Sequence, residues 1–444
     1  MLAVLSDRTY RRLFTAQVIA LTGTGLATVA LGLLAYDLAG ADAGTVLGTA
    51  LAIKMVAYVV VAPLAGPLAA RIPRKALLVS LDLVRAGIAS ALPWVDQVWQ
   101  VYLLIVLLQA ASAAFTPTFQ ATVPDILTDE RDYTRALSLS RLAYDLESLL
   151  SPLLAAAVLV VVGYDRLFVG TSIGFVASAV LVVSAVLPAT RAPASGRGPA
   201  ATTRGIRIYL ATPRLRGLLA VHLAVAAAGS MVLVNTVGYV RDLLGRDETA
   251  VALALAANGL GSLAVALALP RILDRFPDRA VMTRASAMLA VALFVAAPTT
   301  ALLGDGRWPA LLVLWAAIGA SSSLVLTPGG RLLRRSAHPA DLPALFAADF
   351  SLSHACWLLC YPLAGWLAST TDMTTTLGVL GVIATAATAC AARLWPTHDP
   401  EAVEHDHLDL DEYHDHLEGA VLVDGCRRHV HPYRIDELHA RWPA

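Results

Sequence analysis

Charged residues are scarce in this chain of 444 residues. Asp, Glu, Lys and Arg together make up 15% of it, whereas soluble globular proteins carry about 25%. Because hydrophobic residues reach 57%, the polar surface is too small to face water on all sides. The composition therefore excludes an ordinary soluble protein and predicts a lipid bilayer as the main partner. The net charge is zero, so we expect no nucleic-acid partner.

Cysteine and the common catalytic motifs are also rare. The four cysteines show neither a Cys-x-x-Cys spacing nor the pattern of an extracellular disulfide framework. The chain has no Walker loop, which argues against ATP-driven transport. No Ser-His-Asp or metal-hydrolase constellation stands outside the C-terminal tail. We therefore predict a protein that is not an enzyme and that has no cofactor.

Long apolar runs take up most of the chain. Twelve stretches reach the length of about 20 residues that a membrane-spanning helix needs. They lie at 13–37, 44–69, 76–95, 99–117, 134–162, 165–188, 216–240, 247–270, 280–303, 308–328, 343–369 and 374–394. We predict an all-α membrane protein with four parts. These are an N-terminal six-helix bundle at 1–188, a linker without apolar period at 189–215, a C-terminal six-helix bundle at 216–394 and a polar tail at 395–444.

Three short motifs occur twice, in the same order, roughly 204–211 residues apart. Gly66–Lys75 matches Pro270–Arg279, Thr116-Pro117 matches Thr327-Pro328, and Leu149–Leu153 matches Leu359–Leu363. The chain is therefore predicted to consist of two homologous halves. In an apolar chain of this size, parallel halves are typical of a secondary transporter with its substrate site between them.

Basic residues are distributed unevenly between the predicted loops. The N-terminus and the loops after the even-numbered helices hold 20 of them, and the opposite loops hold four. Because basic residues favour the cytoplasmic side, we expect both termini and the linker in the cytoplasm and the protein in the plasma membrane. An eleven-helix alternative places the tail outside, and the basic segment Arg331–Arg335 argues against it.

The loop after the second helix resembles the signature Gly-x-Leu-Ala-Asp-Arg-x-Gly-Arg-Lys of the major facilitator superfamily. The matching residues are Gly66, Leu68, Ala69, Arg71, Arg74 and Lys75. Ala70 replaces the acid of the signature, and the second copy restores it as Asp274, followed by Arg275. The resemblance covers residues 8–394. It implies two pseudo-symmetric six-helix bundles, alternating access between them, and a conformational latch formed by Gly66, Arg71, Arg74, Lys75, Asp274 and Arg275.

Two further motifs are similar to those of particular members of this superfamily. Ser151–Ala156 resembles the Gly-Pro-x-x-Gly-Gly motif of exporters, with small residues that let helices approach closely. Gln109–Ala114 resembles the Arg-x-x-Gln-Gly-x-Gly-x-Ala motif, but Val106 replaces the Arg that is linked to proton coupling. The resemblance implies a monomeric exporter of drug, siderophore or nickel type. A proton or another coupling ion would then act through other groups.

Ionisable side chains inside spanning helices are costly in lipid and usually face a cavity or a partner. Arg141 and Asp145 are four residues apart, so they either pair structurally or form a gate or cation site. Lys54 either pairs with a carboxylate or receives an anionic substrate. The other candidates for substrate or coupling are Asp82, Arg85, Glu147, His222, Asn235, Asn258, Asp349 and His354.

The predicted eleventh helix carries several potential metal ligands on one face. Asp349, Ser353, Cys356 and Cys360 follow each other at spacings of 4, 3 and 4 residues, and His354 lies beside them. Oxygen, nitrogen and sulfur ligands together suit a transition metal. The alternative is a packing face of small residues with one incidental acid.

The tail has a histidine signal of its own. Eight of the eleven histidines lie in the last fifty residues, six of them in His-x-His pairs surrounded by carboxylates. Imidazole with carboxylate suits nickel, cobalt, zinc or copper. The predicted metal ligands are His405, His407, His414, His416, His429, His431 and Cys426. The alternative is a solvated acidic tail.

Three functions remain open on the sequence. The leading hypothesis is efflux of a divalent transition metal, nickel or cobalt, with the tail collecting the cytoplasmic ion. The second is efflux of an amphipathic organic compound, with a regulatory tail. The third is a metal-sensing membrane protein that transports little.

Overall fold

Long α-helices make up nearly all of the chain. The computed structural model describes residues 2–39, 43–159, 161, 163–188, 199–302, 307–399, 402–407, 421–423, 426–436, 438–439 and 442. In the first half the helices are α1 (Arg8–Ala39), α2 (Ala43–Arg71), α3 (Arg74–Ala91), α4 (Val98–Ile126), α5 (Glu130–Leu159) and α6 (Asp165–Ser184). In the second half the long helices are α8 (Pro213–Gly238), α9 (Glu248–Leu273), α10 (Asp278–Leu302), α11 (Arg307–Leu326), α13 (Leu342–Thr370) and α14 (Met373–Leu394). The described residues also form two shorter α-helices, α7 (Pro199–Ala211) and α12 (Gly329–Ser336).

Ten of these helices are long and apolar enough to cross a membrane. The other two long helices are α2, with a described apolar stretch at Ala52–Leu64, and α5. The helix α5 is less apolar because it carries Arg141, Asp145 and Glu147. The twelve long helices confirm the all-α membrane architecture expected from the apolar runs.

The two halves use the same helix packing. In the first half α1 packs on α6 and α5, α3 packs on α6 and α4, and α2 packs on α4. The second half repeats each pair: α8 packs on α14 and α13, α10 packs on α14 and α11, and α9 packs on α11. The halves meet along α2–α13 and α5–α9, two interfaces that the same pseudo-symmetry exchanges. The repeated sequence motifs thus correspond to a repeated structure.

The helices α9 and α11 approach each other most closely at two glycines. A Cβ atom on Gly261 would overlap the carbonyl oxygen of Ala316, and a Cβ atom on Gly319 would overlap that of Asn258. The Asn258 amide also donates a hydrogen bond of 3.1 Å to the Trp315 carbonyl. Small residues of this kind let membrane helices pack backbone to backbone. Asn258, a predicted substrate candidate, therefore belongs to this packing interface.

The linker contains the helix α7, which was not predicted because the linker sequence has no apolar period. Ile208 and Tyr209 of α7 are fully buried, and the helix packs against α13 and α2. Two adjacent apolar side chains are too few to give a period, but they are enough to hold one short helix on the bundle.

The described part of the tail, which the sequence predicted only to be polar, forms a small sheet. Its strands are β1 (Ala402–His407), β2 (Val421–Val423) and β3 (Cys426–Pro432), in the antiparallel order β1-β3-β2. After the sheet, Tyr433 and Ile435 are buried and join the core of the second half together with Trp395. The tail, α7, α12 and the start of α5 all lie at one end of the bundle, which we call the terminal end.

Candidate substrate site between the two halves

A cavity of about 520 Å³ lies between the two halves. Helices α1 to α5 line it on one side, and α8, the end of α11, α12 and α13 line it on the other. This is where parallel repeats are expected to place a substrate. Seven of the predicted candidates lie in its wall: Lys54, Arg85, Arg141, Glu147, His222, Asp349 and His354.

Among the described residues that line the cavity, the remaining predicted candidates are absent. They are Asp82, Asp145, Asn235 and Asn258. Asn235 donates a hydrogen bond of 3.1 Å to the Ala364 carbonyl and so joins α8 to α13. Asp82 pairs with Arg85 and accepts a hydrogen bond of 2.8 Å from Ser178. Asp145 and Asn258 hold contacts between helices. Sequence alone could not separate these packing groups from the cavity groups, because both kinds lie on the same helices.

The Asp82–Arg85 pair is a buried structural contact at the edge of the cavity. The Arg85 guanidinium lies over two aromatic rings, 4.0 Å from the Phe115 centroid and 4.5 Å from the Phe175 centroid. Cation–π contacts of this kind are strongest where water is excluded. The pair thereby connects α3 with α4 and α6, and Asp82 balances the charge of Arg85.

The Arg141–Asp145 pair joins the two halves. Arg141 Nη2 lies 2.9 Å from Asp145 Oδ1 and also donates to Ser262 Oγ at 2.9 Å. Ser262 in turn donates to Asp145 Oδ2 at 2.7 Å. Because Ser262 is on α9, the ion pair forms the polar part of the α5–α9 interface.

The most distinctive polar group in the cavity wall is His222 opposite Asp349. His222 is 5% exposed, and its Nδ1 atom has no hydrogen-bond partner in the part of the chain that is described. This nitrogen points to Asp349 Oδ1 at 3.9 Å. The same oxygen accepts a hydrogen bond of 3.0 Å from the Tyr209 hydroxyl. Tyr209 belongs to the linker helix, so no sequence motif pointed to it.

One cation can reach both an imidazole nitrogen and a carboxylate oxygen that lie 3.9 Å apart, but only with a wide angle between its two bonds. Transition-metal bonds to His nitrogen and to carboxylate oxygen are about 2.1 Å each, so two of them span at most about 4.2 Å. An unpartnered buried nitrogen is otherwise costly, because buried polar groups are normally hydrogen-bonded. The pair combines a nitrogen and an oxygen donor, a chemistry that transition metals accept.

The predicted ligand stripe on α13 is divided between the cavity and the packing. Asp349 and Ser353 line the cavity, whereas Cys356 and Cys360 are buried among the core residues of the second half. His354 faces the cavity and packs between aromatic rings, 4.9 Å from Tyr58 and 4.1 Å from Phe350 between centroids. Its Nδ1 atom donates to the Phe350 carbonyl at 2.7 Å. The Lys54 ammonium lies 5.7 Å from the Tyr58 ring centroid.

The terminal end of the cavity is closed by contacts of α12 with α5 and with the loop just before α5. The Tyr133 hydroxyl donates to the Gly330 carbonyl at 3.3 Å, and Arg334 donates to the Thr128 carbonyl. Arg331 forms an ion pair of 2.6 Å with Glu130. These contacts cross from one half to the other, so we call them the terminal gate.

Charged residues extend the terminal gate into the second half and the tail. Arg331 Nε lies 3.5 Å from Asp278, which also faces Arg335 at 3.9 Å. Asp399, at the start of the tail, lies 3.1 Å from Arg335 and 3.0 Å from Arg214. Sequence reasoning missed Asp278. In the second copy of the repeat, Asp278 stands at the position that Arg74 has in the first. This change from a basic to an acidic residue is the sequence feature that could have identified Asp278.

Of the residues predicted to form the latch, four have described side chains. Arg74 is buried and pairs with Asp125 of the same half, and Lys75 is half-buried. Asp274 and Arg275 are exposed at the end of α9. Gly66 and Arg71 lie in the last turns of α2, where side chains are not described.

The sheet register places two of the tail histidines opposite each other. His405 is directly opposite His429, and His431 is opposite Val403. The side chains of His405, His407, His429 and Cys426 are not described, and His414 and His416 lie outside the described residues. Among the described residues no group of three potential ligands is placed to hold a metal ion.

The end of the tail is held on the loop before α13 by one carboxylate. Asp436 lies 3.3 Å from His338 Nε2 and 2.9 Å from His439 Nδ1. Partial burial alone would raise the pKa of Asp436, but the hydrogen bonds from these two histidines outweigh it and hold the pKa well below its ordinary value. Asp436 therefore stays ionised and keeps the tail on the bundle at neutral pH.

The sequence and fold match known transporters. The family model described as Major Facilitator Superfamily matches residues 13–303 and 218–422. No curated protein matches the chain in sequence. Among solved structures, the human organic anion transporter MFSD10 (TETRAN) has a TM-score of 0.73 at 14% identity, over 86% of this chain and 99% of its own.

Two other solved structures have the same fold. A bacterial homologue of the iron transporter ferroportin in the outward-facing state has a TM-score of 0.71 at 14% identity, over 87% of this chain and 99% of its own. The E. coli fucose:proton symporter FucP has a TM-score of 0.68 at 11% identity, over 88% of this chain and 99% of its own. At these identities the likeness concerns the fold.

Proposed function

The chain belongs to the major facilitator superfamily of transporters, and on this basis we propose that it exports a divalent transition-metal cation, nickel or cobalt, by alternating access. The observation that carries the proposal is the unpartnered His222 nitrogen, 3.9 Å from the Asp349 carboxylate in the central cavity. Nitrogen and oxygen ligands together suit nickel and cobalt. Water in the cavity supplies the remaining ligands. One solved structure with this fold is a homologue of an iron transporter, which is consistent with metal transport.

The direction of transport is proposed from the loops and the gate. The basic loops favour a cytoplasmic location of the terminal end. The α5–α12 contacts at the terminal end support the proposal that the cavity is closed to the cytoplasm in this state. Export then requires the terminal gate to open, the cation to enter from the cytoplasm, and the gate to close again. A proton or another coupling ion supplies the energy.

Transport by the purified protein tests this function. In liposomes that contain a fluorescent metal indicator, we expect nickel or cobalt to enter when a pH gradient is imposed. Magnesium and calcium, which prefer all-oxygen sites, are expected to enter far more slowly. Liposomes without protein are the control. If none of the transition metals enters while an organic compound does, the proposal is wrong.

A second candidate function is the export of an amphipathic organic compound, with the tail as a regulatory segment. It is favoured by the aromatic part of the cavity wall, to which Tyr58, Phe115, Phe119, Phe350 and Trp357 contribute. Aromatic rings with a few placed polar groups are typical of sites for organic ligands. The liposome experiment separates the two functions, because a metal ion enters in one case and an organic compound in the other. A metal-sensing protein would transport neither.

We further propose that the tail collects metal ions for the transporter. The proposal is supported by the register of β1 and β3, in which His405 is directly opposite His429. His431 is two residues further along β3. Metal captured here is held next to the terminal gate, because Asp399 attaches the tail to Arg335 of α12.

Alanine at His405, His407, His429 and His431 is expected to raise the KM for nickel or cobalt about tenfold, by analogy with the cost of losing groups around a metal site. The maximal rate is expected to stay unchanged, because the cavity is untouched. The initial rate of uptake at increasing metal concentration measures both quantities. The matched control is His398→Ala, an exposed tail histidine outside the strands. An unchanged KM in the four-residue variant would exclude the tail from transport.

A further inference from the structure

The linker helix α7 is attached to α13 at three successive points. Arg204 donates two hydrogen bonds to Asp341, of 2.6 and 3.0 Å. Gly205 follows, and a Cβ atom on it would overlap the carbonyl oxygen of Ala344. Finally the Tyr209 hydroxyl donates to Asp349 Oδ1 at 3.0 Å. The linker is therefore part of the wall behind the central cavity.

The same helix lies at the boundary between the halves. It packs on α13 of the second half and on α2 of the first, and α2 and α13 form one of the two interfaces between the halves. Tyr209 is fully buried there. A change in the position of Tyr209 consequently affects the α2–α13 interface between the halves.

One oxygen atom is shared between the linker and the metal-binding pair. Asp349 Oδ1 accepts the Tyr209 hydrogen bond and is also the oxygen that faces His222 Nδ1. A cation between His222 and Asp349 would bind this oxygen and would repel the hydroxyl proton. The hydroxyl and the cation would therefore share one oxygen atom, and the positive charge of the cation would weaken the hydrogen bond from the hydroxyl.

We propose that Tyr209 is a positioning residue that occupies Asp349 Oδ1 when the site is empty and gives it up when a cation binds. Binding then releases α7 from α13 at this point, while the Arg204–Asp341 pair keeps the helix attached. Return of the hydroxyl weakens the hold of Asp349 on the cation and promotes its release. The inference rests on the proposed function, since it takes the His222–Asp349 pair as the cation site.

The Tyr209→Phe variant tests the competition, because it removes one hydroxyl and keeps the ring. Because the variant lacks the hydroxyl that occupies Asp349 Oδ1, we expect it to bind nickel or cobalt about tenfold more tightly. Its turnover is expected to fall by a similar factor, because release is slower. Calorimetric titration of the full-length protein with the metal gives the Kd, and liposome uptake gives the turnover.

Two further variants make the result decisive. Arg204→Gln loosens α7 without touching Asp349, and its Kd is expected to stay within twofold of the unchanged protein. Asp349→Asn is expected to lose binding. If Asp349→Asn binds metal normally, the proposed site is wrong. If it loses binding but Tyr209→Phe has an unchanged or weaker affinity, the competition is wrong and the proposed function stands. Thermal unfolding of each variant shows that the fold is retained.

Discussion

Replacement of Asp349 by Asn is expected to abolish metal transport and to weaken nickel or cobalt binding by about 100-fold or more. Loss of a group that only supports a metal ligand costs about 10–100-fold in affinity, and here the charged ligand itself is lost. The amide keeps the shape of the carboxylate and retains an oxygen that accepts the Tyr209 hydrogen bond. The variant is therefore expected to fold.

The measurements are the Kd of the purified protein and the rate of metal uptake into liposomes. Asp372→Asn is the matched control. Asp372 is an exposed carboxylate that caps the start of α14 through Thr375, so its loss affects helix stability by about 1 kcal/mol and leaves the cavity unchanged. Equal transport by both variants would refute Asp349 as a metal ligand.

Replacement of Arg331 by Glu is expected to open the terminal gate. The change removes the 2.6 Å ion pair with Glu130 and places like charges next to Glu130 and Asp278. Charge-assisted hydrogen bonds contribute about 1.5–3 kcal/mol each, so the ratio of open to closed gate is expected to rise at least about tenfold. Export is expected to slow, because the outward-facing state becomes difficult to reach.

Distances between two spin labels measure the gate directly. Labels at the exposed positions Asp129 and Asp274 lie in different halves at the terminal end, and their distance is expected to lengthen in Arg331→Glu. The additional change Glu130→Arg is expected to restore part of the short distance, since it recreates one of the two pairs. Arg393→Glu, an exposed charge reversal on α14, is the control. Identical distance distributions in all variants would show that Arg331 does not hold the gate.

The sequence was sufficient for the architecture because the architecture depends on features that repeat along the chain. Apolar runs of membrane length and the matched motifs predict twelve helices and two related halves. The repeat also explains the packing, since α2–α4 in one half corresponds to α9–α11 in the other. These predictions need no knowledge of which side chains touch.

The candidate site was only partly predictable because its contacts join distant parts of the chain. Tyr209 and Asp349 are 140 residues apart, and Tyr209 stands in a linker without apolar period. Conversely, Asn235 and Asp145 have the residue types of a site, but they serve contacts between helices. The charge of Asp278 became meaningful only when α12 placed Arg331 and Arg335 against it. The opposed positions of His405 and His429 depend on a strand register that the His-x-His spacing does not determine.

The close packing of α9 on α11 is expected to make these two helices move as one rigid unit. Gly261 and Gly319 fix them backbone to backbone, and Ser262, the next residue of α9, touches Arg141 and Asp145 on the opposite half. The helix α11 leads directly into α12, which carries Arg331. A displacement of α5 at Arg141 and Asp145 is therefore expected to move α9 and α11 together, and with them Arg331 at the terminal gate.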